Sequence, residues 1–376
     1  MKINLVLGHQ LGFPPTRGGG VENLNWMLAK QYIKKGHEVV AYSRLMANLP
    51  ATEVDAFGIR HRRIPGHDIL PNVWHDHWHA LRYAGRLWPV LEKADVTSFH
   101  TPFSFLLRHK KGLGVCTHHI HRTPKWIVRL YGGFDRLYGG SNAVIDQARA
   151  IDPSLKNLKR VYNCISLPAQ RPPMRTDYSG GLNFLYVGRF VPDKGLEALI
   201  KGFHATLAEF PKNRLATLGP QTSQDGADSA FFARMCAYVK DNKLEQNVEF
   251  SPPIFDRAKL QERVGAADVV CVPTITGETF SMAILDGMAQ AKPILTSDFA
   301  PMLEAVDHLK NGYVSKRGDA NSVAEAIRYF TQLGSGLNDL GTAAFEKTRR
   351  SFSDESIAQE YLDDFAALAL AKQTPA

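Results

Sequence analysis

The hydrophobic and polar positions near the start of the chain follow two different periods. Residues 2–8 (KINLVLG) form a run rich in β-branched residues and leucine, which is typical of a buried strand. After a glycine-rich break at 14–20, apolar residues in 21–36 recur every three or four positions and so share one helical face. Another apolar run, 37–44, predicts a second strand. This order predicts a βαβ unit, and hence a parallel sheet covered by helices.

The same pattern begins again in the second half of the chain, behind a segment of different composition. Residues 166–181 contain three prolines and two terminal glycines with little periodicity, which is typical of a linker. Strands are then predicted at 182–189 and 214–219, with helices at 195–210 and 230–244. The sequence therefore predicts an α/β protein with two consecutive parallel domains.

The boundaries of these domains follow from the linker and from a helix start near the end of the chain. We place an N-terminal domain at 1–168 and a C-terminal domain at 178–352. Ser353 is a good helix N-cap and is followed by two acidic residues, which favour a helix N-terminus. A final helix is therefore predicted over about 353–376.

The composition is that of a globular protein, with 44% hydrophobic and 22% charged residues among 376. No run of about 18 uninterrupted apolar residues occurs, so no transmembrane helix is expected. The first apolar run ends before His9 and is too short for a secretory signal. The four cysteines are far apart and form no CxxC pair, which indicates free thiols in a reducing compartment. We therefore expect a cytoplasmic protein.

The charge is distributed unevenly along the chain. Residues 1–170 contain 23 Lys and Arg against 11 Asp and Glu, together with 12 of the 14 histidines. A basic N-terminal half indicates an anionic partner, which could be an acidic lipid surface, a phosphate-bearing substrate or a nucleic acid. A solvated basic face explains the same charges, so both interpretations stay open.

Two cations lie in a loop between a predicted strand and a predicted helix. Arg189 directly follows the strand and Lys194 directly precedes the helix, in YVGRFVPDKGLEALI. Ligands of open α/β sheets bind at the carboxyl ends of strands, and helix N-termini favour anions. Arg189 and Lys194 are therefore candidates for binding a diphosphate, although solvated loop cations are the alternative.

Two acids flank a short apolar helix in GETFSMAILDG. Glu278 lies in the loop before the helix, and Asp286 lies about two turns along it. The free backbone N–H groups of the first turn, around Thr279, Phe280 and Ser281, can bind phosphate oxygens. Carboxylates suit vicinal hydroxyls of a ribose or a sugar. The alternatives are stabilisation of the helix dipole by Glu278 and a surface position for Asp286.

These stretches together resemble the family-4 retaining glycosyltransferases of the GT-B fold, the glycosyl transferases group 1. The resemblance includes a glycine-rich loop followed by Glu (GGGVE, 18–22), the VGRFVPDKG segment (187–195) and two acids separated by seven residues (278–294). Asp286 stands where the family has a second Glu. Further matches are VYNCI, the loop acid Glu304 and NGYV.

The resemblance implies two Rossmann-like domains that face each other across a cleft. The N-terminal domain would bind the acceptor, the C-terminal domain would bind the nucleotide sugar, and the final helix would pack back on the N-terminal domain. The implied reaction transfers a sugar with retention from a nucleotide-diphosphate donor, with UDP-sugars favoured, to a glycan, glycolipid or lipid-linked acceptor. Neither a metal nor a cofactor other than this donor is implied. Cell-surface polysaccharide or glycolipid synthesis would be the setting.

The resemblance also implies roles for the residues that interact with the donor. Arg189 and Lys194 would neutralise the diphosphate and the charge that develops on it as it leaves. Asp286 would bind the ribose hydroxyls, and Glu278 would contact the donor sugar. The helix start at 279–281 would bind the phosphates.

The resemblance also implies roles for two features of the N-terminal half. Gly19 and Gly20 would let the first loop approach the phosphates without a Cβ clash. The T-x-H spacing in VCTHH points to His119 as the residue beside the reacting sugar carbon, with His118 as the alternative.

The segment WHDHWH (74–79) is rich in possible metal ligands. His75, His77 and His79 would share one face of a strand, and His75 and His79 would adjoin on a helix. A helix over this region would also align Trp74, Trp78, Leu81 and Trp88 beside Arg82 and Arg86. Such a helix suits an anionic membrane surface or a lipid-linked acceptor. Ordinary core packing with a solvated basic face is the alternative.

Other classes of protein fit the sequence less well. A sugar-nucleotide epimerase of similar fold would need no acceptor and remains the alternative enzyme. A nicotinamide oxidoreductase is disfavoured because no GxGxxG follows a strand. A nucleic-acid binder is disfavoured because the sequence contains no helix-turn-helix, zinc-finger or RNP pattern.

Overall fold

The computed structural model describes residues 1–16, 19–68, 73–223 and 226–373, without the side chains of residues 73 and 74. In chain order its strands are β1 (Lys2–Val6), β2 (Glu38–Arg44), β3 (Thr52–Val54), β4 (Arg60–Ile64), β5 (Val96–Phe99), β6 (Val115–Ile120), β7 (Arg136–Gly139), β8 (Leu158–Arg160), β9 (Asn183–Val187), β10 (Arg214–Leu218), β11 (Val248–Ser251), β12 (Val269–Val272), β13 (Ile294–Ser297) and β14 (Gly312–Ser315).

The helices, again in chain order, are α1 (Gly20–Lys34), α2 (Val73–Val90), α3 (Ser104–Leu107), α4 (Asn142–Ile151), α5 (Leu196–His204), α6 (Ser229–Asp241), α7 (Arg257–Gly265), α8 (Met282–Ala289), α9 (Ala300–Leu303), α10 (Ala320–Leu333), α11 (Leu337–Ser351) and α12 (Asp354–Gln373). Within the described ranges, no helix is both long enough and apolar enough to cross a lipid bilayer.

The chain divides into two compact units. Unit 1 comprises Met1–Cys164 and Asp354–Ala376, and unit 2 comprises Ile165–Ser353. The sequence analysis ended the N-terminal domain at residue 168, placed the C-terminal domain at 178–352 and began the final helix at about 353.

The sheet of unit 1 has the strand order β3-β4-β2-β1-β5-β6-β7-β8. All its pairings are parallel except that between β3 and β4, which is antiparallel and lies at one edge. β1 pairs with β2 on one side and β5 on the other, so the direction of winding reverses between β1 and β5. The predicted βαβ start is confirmed, because α1 joins the parallel strands β1 and β2.

The final helix belongs to unit 1 and packs against α1 and β6. Its Asp364 accepts hydrogen bonds from the Arg136 guanidinium (2.9 and 3.1 Å) and from the Tyr138 hydroxyl (2.7 Å) on β7. Tyr361 and Phe365 of the same helix are buried. Because an isolated helix has little stability, these buried contacts are what hold α12 on the sheet.

The sheet of unit 2 is parallel throughout, with the order β11-β10-β9-β12-β13-β14. On one face, Phe184 and Tyr186 of β9 pack in a single apolar cluster with Leu199 and Phe203 of α5, and on the other face Leu185 is also buried. This explains why its strands appear in the sequence as continuous apolar runs rather than alternating ones. Both sheets agree with the predicted class of two Rossmann-like α/β domains, which is confirmed.

The proline-rich segment 166–181 contains no helix or strand, as predicted, but its second half is bound to unit 2. The Arg175 guanidinium donates hydrogen bonds to Asp268 Oδ2 at 2.8 Å and to the Gly181 carbonyl at 2.9 Å. The Tyr178 hydroxyl donates to Asn338 Oδ1 at 2.8 Å. Composition predicted the irregular backbone but not the contacts with Asp268 and Asn338, because these partners lie 93 and 160 residues away along the chain.

Candidate active site

The loops after β9 and β12 lie side by side at the carboxyl edge of the unit 2 sheet. The two strands pair in parallel, with Tyr186 opposite Cys271. Strand order continues through β10 on one side and through β13 on the other, so the sheet reverses its winding between β9 and β12. Ligands of open α/β sheets bind at such a point. The residues predicted to bind the donor follow these two strands, so the fold brings both stretches to one edge.

Lys194 and Glu278 are direct partners at this edge. Lys194 Nζ donates a hydrogen bond to Glu278 Oε2 at 2.9 Å, and the two side chains are 11% and 25% exposed. The loops come this close because residue 195 is glycine. Gly195 has a φ of +73°, and a Cβ there would lie 1.9 Å from the carbonyl oxygen of Pro273. The sequence predicted separate contacts for Lys194 and Glu278, whereas the structure pairs them.

Arg189 lies in the same loop as Lys194 but has a different environment. Its side chain is exposed, and Nη1 donates a long hydrogen bond of 3.4 Å to the Gly226 carbonyl. Its own carbonyl accepts a hydrogen bond from the Tyr186 hydroxyl at 2.9 Å, which fixes the backbone of the loop. No carboxylate of the described residues forms an ion pair with Arg189. The guanidinium is therefore accessible to an anionic ligand.

The helix start predicted near residue 280 is confirmed, since α8 begins at Met282 with Ser281 as its N-cap. Within the described part of the chain, the Ser281 hydroxyl does not cap the helix. The Phe280 ring is 2% exposed and lies 5.4 Å from that of Phe352. Its side chain therefore belongs to the core, and contact with a phosphate would have to come from its backbone. Thr279 lies in the loop just before it and is half-buried.

Asp286 is buried and has partners that the sequence did not reveal. Both of its carboxylate oxygens accept hydrogen bonds from the Arg257 guanidinium, and Oδ1 also accepts one from Gln261 Nε2 at 2.8 Å. Arg257 and Gln261 belong to α7, which packs against α8. A buried carboxylate needs such compensation because losing its hydration is costly. The surface alternative for Asp286 is therefore wrong, and its contact with a ribose stays a prediction.

Gly287, beside Asp286, has a packing role. A Cβ at this position would lie 2.7 Å from Ile294 Cδ1 and 2.9 Å from Val270 Cβ. The glycine therefore allows α8 to lie close to β12 and β13. This close packing sets the position of the Asp286 carboxylate relative to the Arg257 guanidinium.

In unit 1, a chain of hydrogen-bonded side chains connects the ends of β5 and β6. His119 Nε2 lies 2.8 Å from Ser98 Oγ, which lies 3.2 Å from His100 Nε2. His100 Nδ1 in turn lies 2.7 Å from His121 Nε2. The Tyr361 hydroxyl lies 3.4 Å from His119 Nδ1. The predicted His119 is thus one member of a network that also includes His100 and His121, neither of which the sequence singled out.

The competing residue His118 lies on the opposite face of β6, as alternation along a strand requires. Its Nδ1 lies 2.9 Å from Ser104 Oγ, and its ring stacks on Tyr131 at 3.9 Å. Burial lowers the pKa of His118 to about 3 and that of His121 to about 4. Burial also holds the pKa of His100 and His119 well below 6.5. These imidazoles are therefore neutral near pH 7.

His100, His119 and His121 form the one group of three metal-ligand side chains found among the described residues, with nitrogen atoms within 4.8 Å of one another. The three rings are nearly parallel, with interplanar angles of 28°, 23° and 12°. A metal must lie in the plane of each imidazole that binds it, and the stacked rings of His100 and His119 are 4.0 Å apart. Their lone pairs cannot converge on one ion in this arrangement, which instead suits hydrogen bonding.

The segment 74–79 lies at the start of α2. Its Asp76 faces the loop after β1, where Oδ1 accepts a hydrogen bond from Gln10 Nε2 at 2.7 Å and lies 3.1 Å from His9 Nε2. The rings of His79 and His67 lie 3.8 Å apart and are tilted by 32°. The metal interpretation of this segment receives no support from the described residues. The sequence analysis missed His9, although a polar residue directly after the first strand could have suggested it.

The first glycine-rich loop enters α1 with a buried acid in its first turn. Gly19 has a φ of +97°, and a Cβ there would lie 2.3 Å from Glu22 Oε2. The positive φ therefore favours glycine at position 19, while Gly20 is the first residue of α1. Burial raises the pKa of Glu22 to about 7. Contact of Gly19 and Gly20 with phosphates stays a prediction.

A cavity of about 540 Å³ in unit 2 lies at the other edge of the sheet. It is lined by the amino ends of β9, β10 and β11, including Asn183, Arg214 and Val248. Because the predicted donor residues follow the carboxyl ends of strands, this cavity is separate from them.

Comparison with known proteins identifies the family. Residues 177–347, which make up most of unit 2, match the family described as Glycosyl transferases group 1. Unit 2 is a group 1 glycosyltransferase domain. The family predicted from the sequence motifs is thereby confirmed for this unit.

The curated relatives of the chain differ in how much of it they match. A phosphatidyl-myo-inositol mannosyltransferase of Mycobacterium leprae is 23% identical over 343 residues, which cover 87% of this chain and 86% of the relative. The capsular polysaccharide biosynthesis glycosyltransferase CapM of Staphylococcus aureus is 22% identical over 175 residues, 46% of this chain and 43% of the relative. These matches are to transferases, so they give the epimerase alternative no support.

Solved structures show that the fold of the chain is GT-B. Sucrose-phosphate synthase of Thermosynechococcus elongatus superposes with a TM-score of 0.80 and 19% identity, covering 98% of this chain and 99% of that one. HepE of Anabaena in complex with UDP-glucose gives a TM-score of 0.76 and 16% identity over 98% and 100% of the two chains.

Proposed function

We propose that the protein is a retaining hexosyltransferase that uses a nucleotide-diphosphate sugar, with UDP-sugars favoured. Its acceptor is a glycan, a glycolipid or a phosphorylated or lipid-linked intermediate, and its setting is cell-surface polysaccharide or glycolipid synthesis. The proposal is supported by the group 1 domain, by the UDP-glucose complex of HepE and by the arrangement of charges beside β9 and β12.

The ion pair between Lys194 and Glu278 is the observation that best supports a donor site at this edge. When a nucleotide sugar binds, its diphosphate replaces Glu278 as the partner of Lys194. The released Glu278 carboxylate then accepts hydrogen bonds from sugar hydroxyls. Together with the accessible Arg189, Lys194 neutralises the negative charge that develops on the leaving diphosphate, which is the main electrostatic contribution to such a reaction.

The ribose of the donor would interact with Asp286 and Arg257 as one unit. A carboxylate has about four acceptor positions, and the bonds from Arg257 and Gln261 occupy three of them. Asp286 therefore keeps capacity for one hydroxyl. The neighbouring guanidinium, with five N–H donors, can donate to the other hydroxyl.

The acceptor side of the proposal is supported by the charge of unit 1 and by the exposed face of α2. Tyr83 and Leu87 of this helix are buried, whereas Trp78 and Trp88 are 59% and 43% exposed. The aromatic residues of the stripe are therefore on the surface, and the core-packing alternative is wrong for them. The side chain of Trp74 lies outside the described residues.

Arg82 and Arg86 are exposed on the same face of α2. Exposed tryptophans beside arginines suit the interface of an anionic membrane. We therefore place the enzyme in the cytoplasm, in peripheral contact with the inner face of a membrane that contains its acceptor.

The donor site is tested by thermal unfolding in the presence of UDP, GDP, dTDP, ADP and their sugars. We expect one diphosphate to raise the melting temperature, and the double variant Arg189→Ala/Lys194→Ala to abolish the rise. Lys201→Ala is the matched control, because Lys201 forms a solvent-exposed ion pair with Glu197 in the following helix. If no nucleotide changes the melting temperature of the wild type, the proposed function is wrong.

The stereochemical part of the proposal has its own test. Proton NMR of the first product formed from an α-linked UDP-sugar should show the small anomeric coupling of an α-glycoside when the sugar is gluco-configured. A β-linked initial product would refute retention while leaving the transferase assignment in place.

The membrane part is tested by co-sedimentation with vesicles. Vesicles containing anionic lipid should bind the protein more strongly than neutral ones, and Trp78→Ala/Trp88→Ala should weaken this binding. Trp126→Ala is the control, since Trp126 is 68% exposed but lies outside α2. Equal binding to both kinds of vesicle would contradict the proposal.

A further inference from the structure

The imidazole of His9 is held in a defined orientation directly after the first strand. Its side chain is 3% exposed, and Nε2 lies 3.1 Å from Asp76 Oδ1. Gln10 also donates to the same carboxylate oxygen. The His9 carbonyl accepts a hydrogen bond from the backbone of His67 at 2.9 Å. Both the ring and the backbone of His9 are therefore fixed by neighbouring elements.

The Asp76 contact determines which nitrogen of His9 has the proton. Burial raises the pKa of Asp76, but the hydrogen bonds from His9 and Gln10 outweigh this and lower it, so the carboxylate is ionised. Burial lowers the pKa of His9 more than Asp76 raises it, and His67 and Arg44 lower it further. The imidazole is therefore neutral, with its proton on Nε2 facing Asp76, and Nδ1 is a hydrogen-bond acceptor.

In the described part of the chain, the Nδ1 atom of His9 has no hydrogen-bond donor as a partner. His9 Nδ1 is fully buried and no hydrogen-bond donor of the described residues reaches it. A buried polar atom without a partner is costly, and native proteins contain few of them. Thr101 Oγ1, in a side chain that is 1% exposed, is in the same situation.

The position of these two atoms connects them with ligand binding. His9 follows β1 and Thr101 follows β5, and the ends of these strands are paired at Val6 and Phe99. The backbone N–H of His100 donates to the Val6 carbonyl at 2.8 Å, which holds the two strand ends together. The sheet of unit 1 reverses its winding between β1 and β5, and ligands of open α/β sheets bind at such a point.

A second histidine of unit 1, His61, has the same hydrogen-bonding pattern as His9 but a different position in the fold. His61 Nε2 lies 2.9 Å from Asp55 Oδ2, and its Nδ1 is also buried without a partner among the described residues. His61 lies within β4, three residues before the strand ends, with the rings of Phe13 and Trp26 beside it. His61 thus has the same pairing in a core position, and His9 has it at the strand-end position where ligands bind.

We propose that His9 binds the acceptor, with its Nδ1 accepting a hydrogen bond from a hydroxyl group of a sugar or polyol, and that Asp76 is the residue that positions it. This inference rests on the proposed function and extends it to the acceptor. The ligand class is a hydroxyl-bearing sugar or polyol, because a neutral imidazole nitrogen accepts a hydrogen bond from a hydroxyl group.

Two substitutions at position 9 separate binding from structure. In His9→Gln the amide can still donate to Asp76, but the acceptor at Nδ1 is lost. In His9→Asn an acceptor remains near the position of Nδ1, but the contact with Asp76 is lost. His61→Gln is the matched control. Acceptor saturation is measured by release of nucleoside diphosphate, with phosphatidylinositol vesicles and with maltooligosaccharides as probes.

We expect His9→Gln to raise the acceptor KM roughly tenfold or more, while the melting-temperature shift caused by nucleotide is unchanged. Asp76→Asn should have a similar effect, because an amide can impose the other tautomer on His9. His61→Gln should leave the acceptor KM at the wild-type value. A wild-type acceptor KM in His9→Gln would overturn the proposal, as a purely structural role predicts that result.

The tautomer is measured separately by ¹⁵N NMR of histidine-labelled protein, with the His9 signals assigned from their loss in His9→Gln. A proton on Nε2 supports the proposal, and a proton on Nδ1 overturns it whatever the acceptor. The failure of the proposed function looks different, because then the wild type itself shows neither a nucleotide-dependent shift in melting temperature nor release of nucleoside diphosphate.

Discussion

The carboxyl edge of the unit 2 sheet is formed by paired charges, whereas that of the unit 1 sheet is formed mainly by neutral polar groups. In unit 2 the edge is built from full charges held against each other, with Lys194 on Glu278 and Arg257 on Asp286. In unit 1 the corresponding edge contains neutral imidazoles joined through Ser98, and buried polar atoms without described partners. A charged edge can exchange its partners for a diphosphate, whereas neutral imidazoles can bind hydroxyl groups. The same architecture thus provides two kinds of site.

The largest expected effect concerns the charged edge. Lys194→Ala should lower kcat/KM for the nucleotide sugar on the order of a thousandfold, because the cation stabilises charge that develops only as the diphosphate leaves. The measurement is steady-state release of nucleoside diphosphate, with Lys201→Ala as the matched control. An activity within a few-fold of the wild type would show that this edge does not bind the diphosphate.

A prediction for unit 1 concerns Glu22 at the start of α1. Burial raises the pKa of Glu22 to about 7, so its neutral form is favoured. The folded-state pKa is above the ordinary value of 4.5, so the contribution of Glu22 to the stability of the fold is complete below pH 4.5 and is lost as the pH rises through 7. Glu22→Gln should remove this dependence and stabilise the protein at pH 8 by up to about 3 kcal/mol. Urea unfolding between pH 5 and pH 8 measures it.

The control for Glu22 is Glu197→Gln, since Glu197 is also an acid in the first turn of a helix but is 42% exposed. Its substitution should leave the pH dependence as in the wild type. If Glu22→Gln unfolds with the same pH dependence as the wild type, unit 1 does not disfavour charge at this position.

The sequence could predict those features of the two edges that depend on residues close together in the chain. Strand and helix periods predicted the βαβ start and the helix after Glu278, and they placed Lys194 and Glu278 in loops that follow strands. The partners of Asp286 and Asp76 were not predictable, because Arg257 lies 29 residues before one and His9 lies 67 residues before the other. Such pairs depend on which helix packs against which loop, and neither periodicity nor spacing within a motif contains that information.

A smaller effect is expected where the charged edge of unit 2 is buried. Arg257→Ala leaves the Asp286 carboxylate, whose side chain is 5% exposed, without its cation. Because Arg257 itself is 38% exposed and water can partly replace it, we expect a loss of about 2 kcal/mol rather than the larger cost of a fully buried pair.

Urea unfolding of Arg257→Ala, Asp286→Ala and the double variant measures this coupling. The double variant should be more stable than Arg257→Ala alone, since it no longer buries an uncompensated charge. Additive losses in the double variant would mean that the two side chains act independently, and that Asp286 is not held by Arg257.

The smallest effect tests the hydrogen-bonded chain of unit 1. Ser98→Ala removes the hydroxyl between His119 and His100 and leaves two buried nitrogens without that partner, which should cost about 1 to 2 kcal/mol. Ser104→Ala is the control, because the one side-chain partner of the Ser104 hydroxyl among the described residues is the imidazole of His118 on the other face of β6. If the network matters for acceptor binding as well as for stability, Ser98→Ala should also raise the acceptor KM, and Ser104→Ala should not. Equal effects of the two serines on stability and on KM would show that the chain through His100 is no more than ordinary core hydrogen bonding, and the contrast between the two edges would then rest on His9 alone.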